Sequence, residues 1–255
     1  MTGGPLLLFS WTKLGGYGHL DDALVLAAAV AATVDVRRGR HLRAAIALGL
    51  AVAVKPWAVI LLPLLLFQPR PTAVIWRRWV PAVVATAIGA AAWAPFVVAV
   101  PDTLEVMRPT VAMAPDSVLQ LVGLTSSAEL DWLRPVQFLL AIVLGLLCIH
   151  RRRVEHVLLA VIAVRLATDP GTWSYYTPGL LAGALLWDAV SSRASWPMLT
   201  VAGSLLLAPD WVLPDDRVRA VLRLSAAAFA VVLAISGPAP SATPSSPTWD
   251  RPAGG

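Results

Sequence analysis

Apolar residues gather in long runs separated by short polar breaks, and this pattern repeats along almost the whole chain. The runs fall near 20 to 36, 42 to 54, 56 to 67, 79 to 100, 135 to 150, 154 to 168, 173 to 190, 196 to 213 and 217 to 236. A helix that crosses a bilayer needs about 20 predominantly apolar residues, so several of these runs are short. The pattern predicts an all-α fold, a polytopic transmembrane helix bundle of about nine segments. The stretch from 42 to 67 has two readings: Pro56 kinks one long helix, or it separates two short helices that form a hairpin with Lys55-Pro56 at its apex.

Loop charge chooses between them. With a hairpin, and with the first segment running inward, Arg37, Arg38, Arg40, Arg43, Arg70, Arg77, Arg78, Arg151, Arg152, Arg153 and Arg193 all fall in cytoplasmic loops. With one long helix every later segment inverts, and the arginines from Arg70 onward move outside. The positive-inside rule favours the hairpin. Tryptophans then sit where interfacial belts belong, with Trp57, Trp93, Trp132, Trp173 and Trp211 on one side and Trp76, Trp79, Trp187 and Trp196 on the other.

The expected organisation is a single integral membrane domain over 1–236, with an external loop at 101–134, followed by a disordered cytoplasmic tail over 237–255. That tail is rich in Pro, Ser, Ala and Gly and cannot bury enough apolar surface to order itself. The external loop carries Asp102, Glu105, Arg108, Asp116, Glu129, Asp131 and Arg134, and its length makes it a candidate lid. The first sixteen residues lack a basic start and hold only a short apolar run from Pro5 to Phe9, a poor match to a signal peptide.

Composition agrees with the membrane class: 58% of 255 residues are hydrophobic, 14% are charged, and mean hydropathy is +0.72. Eighteen arginines against two lysines, with abundant alanine, fit GC-rich bacterial coding. The basic balance lies in short loops rather than along a soluble surface, so no nucleic-acid partner is expected. Cys148 lies inside an apolar run without a disulfide or metal-ligating partner at useful spacing and reads as a small core residue. The chain has no Walker-type phosphate loop, dinucleotide fingerprint, zinc motif or serine-hydrolase elbow, and no metal is expected.

The ionisable groups that remain are concentrated. His19, Asp21, Asp22, Lys55, Arg165 and Asp169 all fall near one predicted membrane face. Such groups are costly beside hydrocarbon, so their collection points to a polar chamber there. The string Gly-Gly-Tyr-Gly-His-Leu-Asp-Asp at 15 to 22 opens an alanine-rich helix. Asp21 and Asp22 either cap that helix and favour its dipole, or serve as a base and sugar-hydroxyl acceptor, one of the neighbouring carboxylates having a raised pKa. His19 reads first as their local hydrogen-bond partner. Lys55 lies between two strongly apolar runs, where it either snorkels to the interface or holds an anionic group such as phosphate. Arg165 offers a second cation, with a four-residue ion pair to Asp169 weighed slightly above ligand contact. Tyr175 and Tyr176 are candidates for stacking on a sugar or prenyl chain, and they also suit an interfacial belt. Gly179 and Gly183 have the spacing of close helix packing.

The block from Gly15 to Leu66 resembles the later half of bacterial GT-C glycosyltransferases, especially the polyprenol-phosphate-mannose-dependent mannosyltransferase group. Its Gly-His-Leu-Asp element opens a helix, a basic loop follows, and a Lys-Pro apex leads into an apolar run with proline and leucines. DPGTWSYYTPGLLAGALLWD at 169 to 188 is similar to a late helix of that group. The resemblance implies transfer of a sugar, mannose first, from a polyprenyl-phosphate donor to a glycan or glycolipid acceptor outside the bacterial cytoplasmic membrane. It implies no cofactor beyond that donor. Lys55 and Arg165 would serve the phosphate, and His19, Asp21 and Asp22 would contact sugar or take the proton, with Asp169, Tyr175 and Tyr176 beside them.

The family pattern also carries a catalytic acid in a first external loop, which would lie before Met1. An upstream start, a second membrane chain supplying that half, or a partial chain that binds without catalysing are the expectations that follow. Two other classes stay open: a transporter or flippase of a lipid-linked or anionic substrate, and a non-catalytic membrane partner. Charges near one face, and no repeated halves, weigh against the transporter.

Overall fold

A computed structural model describes residues 19–69, 75–100, 102–103, 113–124, 132–172, 177–190, 196–207 and 212–237. Tyr175, Tyr176, much of the 101–134 loop and the tail from 238 lie outside the described residues. The described residues are helical and contain no strand. Their helices are α1 (Leu20–Arg37), α2 (His41–Val54), α3 (Val80–Ala99), α4 (Val118–Leu121), α5 (Leu133–His150), α6 (Val157–Thr168), α7 (Thr177–Val190), α8 (Met198–Ser204) and α9 (Asp216–Ser236). A 3-10 helix over Pro56–Leu66 lies between α2 and α3.

Local chemistry sets the first breaks. Asp21 and Asp22 stand at the positive start of α1 and Arg37 at its negative end, the arrangement the helix dipole favours. The helix stops at Gly39, whose φ of +72° is a left-handed conformation that glycine adopts without steric cost. α2 ends two residues before a proline, which disfavours the helical conformation for its predecessor, and Lys55 is extended at φ −143° and ψ 118°. Pro56 then suits the first turn of the next helix, where its missing N–H leaves nothing unpaired.

The chain does turn back at Lys55. Gly49 faces Ala85 and Ile88, Gly89 faces Val52, and Trp93 Nε1 donates to Val52 O at 3.1 Å, so α2 and α3 run parallel and the segment between them runs the other way. Its 3-10 form matters for reach. Eleven residues at about 2.0 Å each span about 22 Å, equal to the fourteen residues of α2 at about 1.5 Å each.

α6 is buried on all sides from Val157 to Val164, the pattern of a helix central to the bundle. Gly183 lets α7 approach it closely, since a Cβ there would lie 2.7 Å from the Leu159 Cα and N. Gly179 does the same against Ile162 and Leu26, so the four-residue glycine spacing is a packing device. Cys148 is buried in the core. Val80–Ala99, Leu133–His150 and Asp216–Ser236 are long and apolar enough to cross a membrane, and His41–Val54, Pro56–Leu66 and Thr177–Val190 are shorter apolar helices. The three long ones turn large apolar side chains such as Val83, Phe96, Leu139 and Phe229 outward, as contact with lipid requires.

Contacts divide the bundle into two ends. At one, Asp22 meets Lys55, Arg134 meets Asp169, and Arg219 meets Asp116. At the other, Arg37 pairs with buried Glu155 at 2.6 Å, and Arg151 and Arg153 donate to Ile235 O at the end of α9.

Candidate functional site

The first end holds a compact ionic cluster built by α1, the Lys55 apex, α5 and α6. Lys55 Nζ lies 3.0 Å from Asp21 Oδ2 and 3.0 Å from Asp22 Oδ2. Asp22 is nearly buried, with its side chain 6% exposed, whereas Asp21 keeps 40%. The other oxygen of Asp22 accepts from Trp57 Nε1 at 3.0 Å. His19 Nδ1 stands 3.7 Å from Asp22 and 3.9 Å from Asp21.

This geometry changes the weight of the sequence alternatives. The cap residue of α1 is His19, which makes no side-chain cap bond, and Asp21 Oδ1 accepts from the first-turn N–H of Asp22 at 2.9 Å. Lys55 is turned inward onto the carboxylates rather than reaching away along the interface. Burial alone would lower its pKa, but hydrogen bonds and charge from Asp21 and Asp22 outweigh it and hold the ammonium above the ordinary lysine value. The same ammonium offsets the mutual repulsion of the two neighbouring carboxylates. His19, Asp21 and Asp22 also bring three ligand-type atoms within 4.8 Å of one another. In this structure the Lys55 ammonium stands between the two carboxylates of that group.

Arg165 belongs to the same cluster through Trp57. Its guanidinium carbon lies 4.2 Å from the centroid of the indole ring, within cation–π range. The expected Arg165–Asp169 pair is present but long, at 3.8 Å between Nε and Oδ2. Asp169, fully buried, accepts more closely from Arg134 at 3.0 Å and from the Gly171 N–H at 3.1 Å. Gln137, also buried, accepts from Arg134 at 2.8 Å and donates to Thr168 Oγ1 at 2.8 Å. A cavity of about 20 Å³ opens among Asp22, Leu26, Trp57, Ile162, Arg165, Leu166 and Gly179, a volume for one water.

The structure thus brings together His19, Asp21, Asp22, Lys55, Arg165 and Asp169. Trp57, Arg134 and Gln137 join them without having been singled out as site residues. A signal for Gln137 existed, because it is a lone amide in an apolar run. In the sequence Trp57 suits an interfacial belt, and Arg134 reads only as a loop charge.

A second polar cluster lies at the same end. Asp116 accepts from Thr172 Oγ1, from Arg223, and from Arg219 Nε at 3.1 Å, while Arg223 also donates to Asp116 O at 2.8 Å. Ala114 N donates to Pro170 O at 2.9 Å. The described part of the candidate lid is therefore fastened to α9 and to the segment that carries Asp169. Burial pushes the Asp116 carboxyl up, but the Thr172 and Arg223 hydrogen bonds, the Arg223 charge and Arg219 outweigh it and hold it below the usual carboxylate range.

Apolar, outward-facing helices around an ionic cluster at one end of the bundle are the architecture of a membrane protein. Residues 17–168 match the family model of glycosyltransferase family 87, and the chain belongs to that family of membrane glycosyltransferases. The matched stretch contains every member of the ionic cluster except Asp169. Neither curated proteins nor solved structures gave a match to the chain.

Proposed function

We propose that this protein transfers a sugar, mannose first, from a polyprenyl-phosphate donor to a glycan or glycolipid acceptor at the outer face of a bacterial cytoplasmic membrane. The observation that carries this reading is the shared ammonium: Lys55 bridges Asp21 and Asp22 and, through Trp57, stands beside the Arg165 guanidinium. Carboxylates beside two cations support this reading, the former suited to an acceptor hydroxyl and the latter to a phosphate. A lipid phosphate donor needs no nucleotide-binding domain, which fits a chain made of apolar helices.

In the reaction, the acceptor oxygen attacks the anomeric carbon as the bond from that carbon to the donor phosphate oxygen breaks. The hydroxyl proton passes to Asp22 or Asp21, and the phosphate leaves with the bonding electron pair, stabilised by Lys55 and Arg165. The phosphate competes with the aspartates for Lys55, so donor binding itself loosens the carboxylate that must take the proton. Nine passes with the site end outside belong to this reading and are supported by the arginine-rich opposite end.

The test uses the purified full chain in detergent with polyprenyl-phosphate mannose labelled in the sugar and membrane glycolipid as acceptor. Label is expected in the glycolipid, and Asp22→Asn and Lys55→Ala each reduce transfer on the order of 100-fold or more. Full activity in both variants, or transfer only from a nucleotide sugar, would sink the reading.

A further inference from the structure

Trp57 touches both halves of the ionic cluster. Its N–H donates to Asp22 Oδ1 at 3.0 Å, and its ring lies against the Arg165 guanidinium at 4.2 Å. The position follows from the Lys55 apex: Pro56 begins the 3-10 helix, and Trp57, in its first turn, faces both α1 and α6. Asp22 has its second oxygen on Lys55, also at 3.0 Å. When a phosphate draws Lys55 toward itself, the indole N–H is the donor that continues to orient Asp22. Meanwhile the ring face holds the guanidinium in place beside the cavity that Asp22, Trp57 and Arg165 line.

We propose that Trp57 is a positioning residue for sugar transfer, its edge fixing the carboxylate that receives the acceptor proton and its face fixing the guanidinium that holds the donor phosphate. The proposal rests on the sugar-transfer reading of Asp22 and Arg165. It assigns the two parts of one side chain to two separable kinetic quantities. Loss of the N–H disturbs the proton acceptor and lowers kcat, because it acts after the donor is bound. Loss of the ring releases Arg165 and raises the donor KM.

Two variants separate these parts. Trp57→Phe keeps an aromatic face and removes the N–H, and Trp57→Leu removes both. With the full chain in detergent, polyprenyl-phosphate mannose as donor and membrane glycolipid as acceptor, Trp57→Phe is expected to lower kcat by about 10- to 100-fold, the range of a hydrogen bond to a charged group, with donor KM nearly unchanged. Trp57→Leu is expected to add a rise in donor KM of about 3- to 10-fold. Polyprenyl phosphate alone gives a readout independent of turnover: it should raise the unfolding temperature of the wild type and of Trp57→Phe alike, and raise that of Trp57→Leu much less.

A Trp57→Phe variant with wild-type kcat, or one that raises donor KM as much as Trp57→Leu, overturns the proposal while the wild type still transfers sugar. A wild type that transfers nothing and is not stabilised by polyprenyl phosphate overturns the sugar-transfer reading itself, and this inference with it.

Discussion

At the residue scale, Lys55, Asp21 and Asp22 form an unequal triad. Asp22 is nearly buried and Asp21 is part-exposed, so the lysine compensates a charge that water cannot reach on one side and a solvated one on the other. Lys55→Met therefore strands Asp22, and breaking a buried pair from one side costs on the order of 3 kcal/mol. We expect a clear fall in unfolding temperature in detergent, largely recovered when Asp22→Leu is added, with no return of sugar transfer. Asp21→Asn is expected to change the unfolding temperature by less than half as much as Asp22→Asn. Equal losses for the two aspartates would contradict the burial argument. These residues were legible in the sequence because an ionisable group between apolar runs has few ordinary explanations. Trp57 was not, because a tryptophan near a membrane edge has an ordinary one; only the fold shows its N–H turned onto a carboxylate.

At the element scale, the tight contact of α6 with α7 depends on glycine. A Cβ at Gly183 would meet backbone atoms of Leu159 at 2.7 Å, and backbone cannot rotate away. At Gly203 the only close atom is Leu181 Cδ2 at 3.0 Å, the far end of a flexible side chain. Gly183→Ala is thus expected to destabilise by about 1–3 kcal/mol, the usual range for overpacking, and Gly203→Ala by much less, as thermal unfolding in one detergent would compare. The glycine spacing that predicts this contact was visible in the sequence. The 3-10 form of Pro56–Leu66 was not, because its apolar run has no period that separates it from an α-helix.

The Asp116 clamp is also a property of elements, tying α4 and its flanking turns to α9. Its carboxyl titrates below the usual range in the folded protein, so the stability it contributes is present above the ordinary carboxylate pKa and is lost as pH falls through the folded value, below about 4. Hydrogen exchange over 113–124 should accelerate in that acidic window relative to α6, and Asp116→Asn should show the same acceleration at neutral pH. Unchanged exchange in Asp116→Asn would mean that Val118 and Leu119, which are buried, hold the segment without the clamp.

At the scale of the whole molecule, charge is distributed by end. Arg37, Arg38, Arg40, Arg43, Arg77, Arg78, Arg151, Arg152 and Arg153 gather where α1, α5 and their neighbours turn, far from Lys55. At the Lys55 end, Arg134, Arg165 and Arg219 each stand against an aspartate, so their charge is largely cancelled there. Positive charge in excess at one end, where Glu155 and Asp35 offset only Arg37 and Arg40, and neutralised at the other supports the proposed orientation, with the arginine-rich end toward the cytoplasm and the ionic cluster outside. The consequence can be read without any assay of transfer. In a Cys148→Ala background, Val122→Cys in the exposed turn after α4 should react with a membrane-impermeant maleimide added to intact cells, and Arg40→Cys should react only once the membrane is opened. The reverse pattern would place Asp22 and Lys55 on the cytoplasmic side. It would remove the reason for a polyprenyl-phosphate donor, since nucleotide sugars are available there, and the ionic cluster would need a different substrate.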